Sequence, residues 1–278
     1  MNKQFIRYIS KNTSNYEPGF LKTFNAATKP AQKQSFSITK PFGLEKPILL
    51  NHKLSDTYSF SNIYQELFGE QAKERRAKQI NYDLKHSPLF DSKSFRNTNG
   101  KIFNSPISYF KQEKSLYFPD FITKTLTGES RSLYDVLVEK KVSIITLFST
   151  GSGYNCVQTW FKEDGKDLYK DSSFEKENPN AQIIDINLPQ SWLKGFITKY
   201  FALPNIKKML PELRQNNYFI LPNHIFSFNI KEKLYCDNQC SGYIYIVDSM
   251  GKIRWAASGN STPEEYKLMW KTIKNLQK

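Results

Sequence analysis

Cysteine is scarce in this 278-residue chain, which has only Cys156, Cys236 and Cys240. So small and odd a number makes no disulfide framework. It points to a reducing or neutral compartment, or to one bridge at most. Histidine is equally scarce, with His52, His86 and His224. No Ser-His-Asp arrangement can be argued from their spacing, and His52 and His86 lie in irregular regions without a catalytic partner nearby. Long hydrophobic runs are absent too. Nothing approaches 18 uninterrupted apolar residues, so no transmembrane helix is predicted. The longest apolar stretches, 142–148 and 243–247, are strand-sized. Acids are thin at the front of the chain: residues 1–44 hold seven Lys/Arg against Glu17 alone, 45–115 twelve against eight, and 117–278 twenty-one against seventeen.

What the chain does have is aromatic: 21 Phe, 16 Tyr and 4 Trp. That excludes wholesale disorder, because disordered chains lack such side chains to bury. The length suits one large domain, or a modest domain plus an arm. The net charge of +14 suits an anionic partner: nucleic acid, an anionic membrane face or an acidic protein. No recognisable RNA-binding motif accompanies the charge, so nucleic acid is not expected among the partners. An RNA-binding protein would show salt-sensitive association.

The first residues read MNKQFIRYISKNTSNYEPGF. Lys3, Arg7 and Lys11 recur every four residues with Phe5, Ile6 and Ile9 between them, which on a helix makes one basic and one apolar face. Ser and Thr follow, and acids are nearly missing. This is the composition of a mitochondrial transit peptide and not of a secretory signal, which needs a longer apolar run. A disordered basic tail is the alternative. Residues 1–30 are expected to be the targeting segment.

From about 12 to 60, Pro18, Pro30, Pro41 and Pro47 leave no room for a long helix. Residues 60–84 change character: Ile63, Leu67, Ala72, Ala77 and Ile80 recur among charges, predicting a mostly exposed helix. The stretch 86–106 reads as loop, with a turn at Asn99-Gly100. Residues 31–115 are thus expected to form a basic N-terminal arm with one charged helix, and 116–278 the domain that follows it.

In that domain 133–139 reads as a short helix and 142–149 (VSIITLFS) as a buried strand. A glycine-rich loop over 151–153 precedes a helix starting near Cys156. Residues 181–188 form a second buried strand. A helical segment over 191–213 is interrupted near Pro204 and ends around Pro211. Residues 217–221 and 224–229 are short extended pieces. Strands over 242–248 and 253–258 flank a turn at 249–252. Thr262 caps a last helix, with Pro263 at its first position and Glu264 and Glu265 in the first turn. This order, strand–helix–strand and then hairpin–helix, is that of a thioredoxin-like α/β domain with an irregular, partly helical N-terminal extension.

In redox members of that fold the loop after the first long strand carries Cys-x-x-Cys, whose thiol is activated at a helix N-terminus. Here it reads Ser149-Thr150-Gly151-Ser152-Gly153-Tyr154-Asn155-Cys156, with no resolving sulfur. Dithiol exchange is excluded there. A thiol oxidoreductase or peroxidase using Cys156 alone is the enzymatic alternative, against a small buried helix residue. Cys236 and Cys240, spaced C-x3-C, lack a fourth ligand beside His224 for a structural zinc site. They are left as a loop disulfide or two ordinary thiols. Gly151-Ser152-Gly153 lacks the Lys-Ser/Thr ending of a P-loop and the third glycine of a dinucleotide fingerprint. No metal or cofactor is expected. The segment 191–214 interleaves Trp192, Phe196, Phe201, Leu203, Ile206, Met209 and Leu210 with Lys194, Lys199, Lys207, Lys208 and Arg214. Such character suits a membrane surface or a hydrophobic client helix, or a helix packed on the core with solvated lysines. Trp192, Phe196, Lys199, Phe201, Lys207 and Lys208 are the candidate client or membrane contacts.

Phe118-Pro119-Asp120-Phe121, the strand at 142–149, and above all Ser241-Gly242-Tyr243-Ile244-Tyr245-Ile246-Val247-Asp248 with Gly251-Lys252-Ile253-Arg254-Trp255 and Ser258-Gly259 carry a resemblance. Together they resemble the mitochondrial ATPase complex assembly factor family, known in fungi as ATPase-ten, from about residue 60 to the end. The resemblance implies a non-enzymatic protein at the mitochondrial inner membrane, matrix side, peripheral to the membrane surface. It implies a chaperone that assists newly made subunit a (subunit 6) of the ATP synthase membrane sector to join the proton-translocating ring. It brings no catalytic residues. Where an orthodox thioredoxin has a cis-proline before its third core strand, this chain has Gly242.

Overall fold

The computed structural model describes residues 35–50, 90–163, 165–171 and 173–278, with 64, 68–70, 72–74, 76 and 77 between them. The expected targeting segment lies outside the described residues. So does most of the charged helix over 60–84, although 64, 68, 70, 72–74, 76 and 77 are helical.

Strand β1, Val142–Phe148, is buried at every position. Its β-branched residues suit a pleated sheet covered on both faces. Helix α1, Gly151–Gln158, leads from it toward β2, Ala181–Asn187. The two strands are parallel, in register from Val142↔Ala181 to Phe148↔Asn187. After β2 the chain leaves the sheet through α2, Trp192–Ile197, and α3, Leu203–Met209, and returns as the short edge strand β3, Tyr218–Ile220. Helix α4, Phe228–Leu234, precedes β4, Gly242–Asp248, which runs antiparallel to β1. Strand β5, Ile253–Ser258, closes the hairpin, and α5, Pro263–Leu276, follows. The strand order is β3-β2-β1-β4-β5. A parallel pair joined by a helix, an antiparallel hairpin beside it and a final helix make the fold thioredoxin-like, as the order of elements in the sequence predicts.

Alternation along the strands sends side chains to two cores. Ile145, Leu147, Ile184, Ile186, Tyr243 and Tyr245 face one; Val142, Ile144, Ile183, Ile244 and Ile246 face the other, with Met269 and Ile273 of α5. The first core is completed from far upstream: Ile38, Phe42, Leu50, Ile102 and Phe103 pack into it. Phe103 is fully buried, which stabilises by roughly 1.5–3 kcal/mol relative to leaving the ring exposed. The Ser258 hydroxyl fixes this approach, accepting from the Ile102 and Phe103 amides at 2.9 and 2.8 Å.

Three local expectations are corrected. The stretch expected as loop contains a helix, Phe90–Thr98. The turn signal Asn99-Gly100 is its C-terminal cap: both residues have positive φ, and the Gly100 amide donates to the Phe95 carbonyl at 2.8 Å, the closing bond of such caps. The glycine-rich loop 151–153 is itself helical, because the Thr150 hydroxyl caps Gly153 and starts α1 five residues earlier than Cys156. Residues 224–229 are not extended: a 3-10 turn, Asn223–Ile225, runs into α4, capped by Ser227.

One polar cluster sits inside the second core. Asp185, in the middle of β2, is fully buried. Its carboxylate accepts from Thr146 Oγ1 at 2.6 Å, Tyr169 OH at 2.7 Å and Arg214 Nη2 at 2.5 Å. Arg214 also donates to the Tyr169 carbonyl and lies 4.1 Å from that ring's centroid. Burial opposes the guanidinium charge, but Asp185 and Tyr169 outweigh it and raise the Arg214 pKa. Arg214→Met is expected to leave Asp185 charged and unpaired, costing about 3–5 kcal/mol. Urea unfolding checks this; an unchanged midpoint would remove the pair from the list of stabilising contacts.

Candidate functional site

Two places merit comparison: the loop where redox members of this fold hold their thiols, and the excursion between β2 and β3.

At the loop, residues 149–155 include hydroxyl side chains and no cysteine. Thr150 Oγ1 and Ser152 Oγ are 2.8 Å apart, and the Ser152 hydroxyl donates to the Cys240 carbonyl at 2.8 Å. The first turn of α1 presses on the start of β4: a Cβ on Gly242 would fall 2.2 Å from the Gly153 carbonyl oxygen, and one on Gly153 2.6 Å from that of Ser241. Only paired glycines allow backbones this close. Gly242 is the first residue of β4, so Ser241 fills the position just before the strand, and no cis peptide bond occurs among the described residues.

The three cysteines are free thiols. Cys156 is buried in α1, and burial pushes its pKa up, against a weaker pull from hydrogen bonding at Gly242 and from Lys101. Cys236 is buried beside Lys231 and Tyr245; burial dominates and pushes its pKa up to about 12. Cys240 is half-buried and also raised, by burial and then by Asp91. All three shifts run opposite to the depression that makes a reactive thiolate. No group of three or more His, Cys, Asp or Glu that could hold a metal ion occurs among the described residues.

The excursion begins where the Ser191 hydroxyl caps α2. Pro204 cannot donate to a carbonyl four residues back, and its ring crowds that carbonyl. The chain answers with a π-turn over Thr198–Ala202, in which the Leu203 amide reaches Thr198, and α3 then carries the proline in its first turn. The helical run expected to be interrupted near Pro204 is therefore widened there. Leu203, Ile206 and Leu210 turn inward onto the second core.

The predicted contact residues separate. Trp192 and Phe196 are half-buried and stacked, centroids 5.3 Å apart, and Phe196 meets Tyr200 at 4.6 Å. Lys199 Nζ lies 5.4 Å from the Tyr200 ring. Phe201 is 69% exposed and Lys208 is exposed, whereas Lys207 is half-buried. So Trp192, Phe196, Lys199 and Phe201 share the first helix and π-turn, while Lys207 and Lys208 sit on the next. The exposed residues that sequence reasoning missed are Leu193 (53% exposed), Ile197 (48%) and Leu213 (70%); Met209, already read as part of the aromatic and basic segment, is 44% exposed. Leu193, Ile197 and Phe201 recur every four residues, opposite buried Gly195. That phase was available as a signal, but Trp192 and Phe196 masked it.

A thioredoxin-like sheet whose first loop holds no cysteine between 149 and 155, with three free thiols elsewhere, defines the class: a thioredoxin-like protein without a Cys-x-x-Cys pair. Residues 22–276 match the model of the ATP10 protein family, and the chain belongs to that family. It is 33% identical over 264 residues to the mitochondrial ATPase complex subunit ATP10 of Saccharomyces cerevisiae, covering 92% of each chain. The proteins of the same name in Candida glabrata and Eremothecium gossypii are 34% and 30% identical, over 93% and 98% of this chain and 91% and 96% of theirs. Similar solved structures include the thiol:disulfide interchange protein DsbE of Chlorobium tepidum, 13% identical, covering 59% of this chain and 97% of that one at a TM-score of 0.40.

The raised Cys236 pKa has a readable sign. Below pH 9.0, the ordinary value, the thiol is protonated folded or unfolded and the contribution is complete. Above it the unfolded chain ionises first. Stability is then lost through about pH 12, at about 1.4 kcal/mol per pH unit for this group. Cys236→Ala is expected to flatten the fall of the urea midpoint between pH 9 and 11. Parallel slopes for the two proteins would refute it.

Proposed function

We propose that this chain is a non-enzymatic assembly factor, a chaperone for the membrane sector of the mitochondrial ATP synthase. It works on the matrix side of the inner membrane, peripheral to the lipid surface, and helps newly made subunit a (subunit 6) to join the ring. The observation that carries this reading is the hydroxyl pair Thr150/Ser152 in the loop where a redox relative needs two sulfurs. With no second thiol there, and with burial raising Cys156, non-covalent surface contact is the remaining means of action. The names of its fungal relatives support the choice of complex.

A polytopic membrane subunit exposes helix faces and buried charges until its neighbours arrive. A folded domain that offers an apolar, basic face can cover such a surface reversibly, and positive charge favours residence at an anionic membrane. The candidate contacts Trp192, Phe196, Lys199, Phe201, Lys207 and Lys208 belong to this reading as its contact segment. The competing reading, a thiol oxidoreductase or peroxidase, needs an acidic sulfur, and each thiol of this chain is shifted the other way.

A variant with Cys156, Cys236 and Cys240 all replaced by Ser, expressed in cells lacking the protein, is expected to restore ATP synthase assembly on native gels. Pull-down from mitochondria translating their own proteins is expected to recover subunit a with either form. Loss of assembly by Cys156→Ser alone, with the fold intact by circular dichroism, would favour the enzyme.

A further inference from the structure

We infer that the outer face of residues 192–213 seats the protein on an anionic phospholipid surface, with Leu193, Ile197 and Phe201 entering the interface and Lys194, Lys207 and Lys208 meeting the headgroups. The inference deepens the proposed function and rests on its placement of the chain at a membrane.

Three observations converge. The first is exposure: Leu193, Ile197 and Phe201 are each about half exposed or more, at steps of four along α2 and the π-turn. They form a stripe roughly 12 Å long at the rise of a helix, and Met209 and Leu213 farther along the segment are also exposed. The second is charge. No acidic residue occurs between Asp185 and Glu212, while Lys194, Lys199, Lys207 and Lys208 fall inside that interval. Asp185 is spent inside the core on Arg214. Four lysines without an acid match the charge of phosphate headgroups. The third is anchoring. Leu203, Ile206 and Leu210 hold the inner side to the second core, and Arg214 ties its end into the buried cluster. The outer stripe is thus presented on a fixed base. The lysines break the apolar sequence too often for a span, and an apolar stripe flanked by basic residues lies in the interfacial plane.

The test uses the full chain and flotation with two kinds of vesicle, phosphatidylcholine alone and phosphatidylcholine with cardiolipin. Wild type is expected to float with the anionic vesicles, weaken in high salt and stay behind with the neutral ones. Each basic residue near an anionic surface strengthens binding about fivefold, so Lys207→Gln with Lys208→Gln is expected to lose about 30-fold. Ile197→Ser with Phe201→Ser is expected to abolish flotation. Lys111→Gln with Lys114→Gln, exposed beside the opposite sheet edge, is expected to change nothing. All variants are checked for unchanged circular dichroism. Equal binding to both vesicles, or wild-type binding by both face variants, overturns the inference. So does retention of the face variants' defect only in capture of subunit a or in self-association. Recovery of ATP synthase assembly is scored separately, so lipid binding without any effect on assembly would count against the proposed function and not against this surface.

Discussion

The ion pair between Asp185 and Arg214 is the constraint around which the rest of the molecule is arranged. A carboxylate at the centre of a strand, fully buried, is costly to take from water, and the attraction of one partner often fails to repay that cost. Here three other elements converge on it. Thr146 stands opposite in register on β1. Tyr169 arrives from the loop after α1. Arg214 arrives from the short helix Glu212–Gln215, just before β3. Any slip of β2 by one residue would carry Asp185 to the other face, among Ile145 and Ile184, away from Thr146, Tyr169 and Arg214. The pair therefore fixes register as well as attachment. It also sets the point at which the excursion from the sheet must return, because Arg214 cannot reach Asp185 unless 192–213 folds back along the second core.

A second constraint works at the other end of the sheet. The start of the first helix is closely packed. Gly153 and Gly242 bring α1 and β4 to a separation no Cβ would permit, and the Ser152 hydroxyl is bonded across the gap to Cys240. Gly100 and Gly259 make a similar close contact, where a Cβ on Gly259 would lie 2.4 Å from the Gly100 carbonyl. The upstream segment is thereby locked over the same corner, with Lys101 paired to Glu265 at 2.5 Å. This corner is a seam between parts of one core.

Much of this was legible from residue order. VSIITLFS and GYIYIVD are unbroken apolar runs of strand length, and TPEE opening an amphipathic run is a strong helix start, so β1, β4 and α5 could be placed directly. The helix Phe90–Thr98 could not: FDSKSFRNT carries no apolar stripe, and it is held by its Asn99-Gly100 cap and by Asp91, whose carboxylate accepts from the Gln239 amide at 3.0 Å. The early start of α1 was hidden because glycine is a poor helix former, and the reason for tolerating it, the contact with Gly242, lies about ninety residues away in the chain. Asp185 reads in AQIIDINL like any polar interruption, and nothing local names Arg214 as its partner. At the contact segment the residue types were visible but their orientation was not. Trp192 and Phe196 looked like the anchors, yet they stack on each other, while Leu193 and Ile197 face outward.

That orientation bears on why the apolar face persists. A contiguous exposed patch is a hazard for a soluble domain, and where it survives it marks a surface that is covered in use. The excursion could have been solvated cheaply, since none of Leu193, Ile197, Phe201 or Leu213 belongs to either core. In the proposed seating on an anionic surface, its lysines would supply the attraction, and the same like charge would hold copies of the chain apart. The π-turn adds to this. Widening the helix ahead of Pro204 lets Leu203 and Ile206 turn inward while Phe201, two residues earlier than Leu203, stays out. The same widening that spares the proline a clash thus separates an inner face packed on the core from an outer face left exposed.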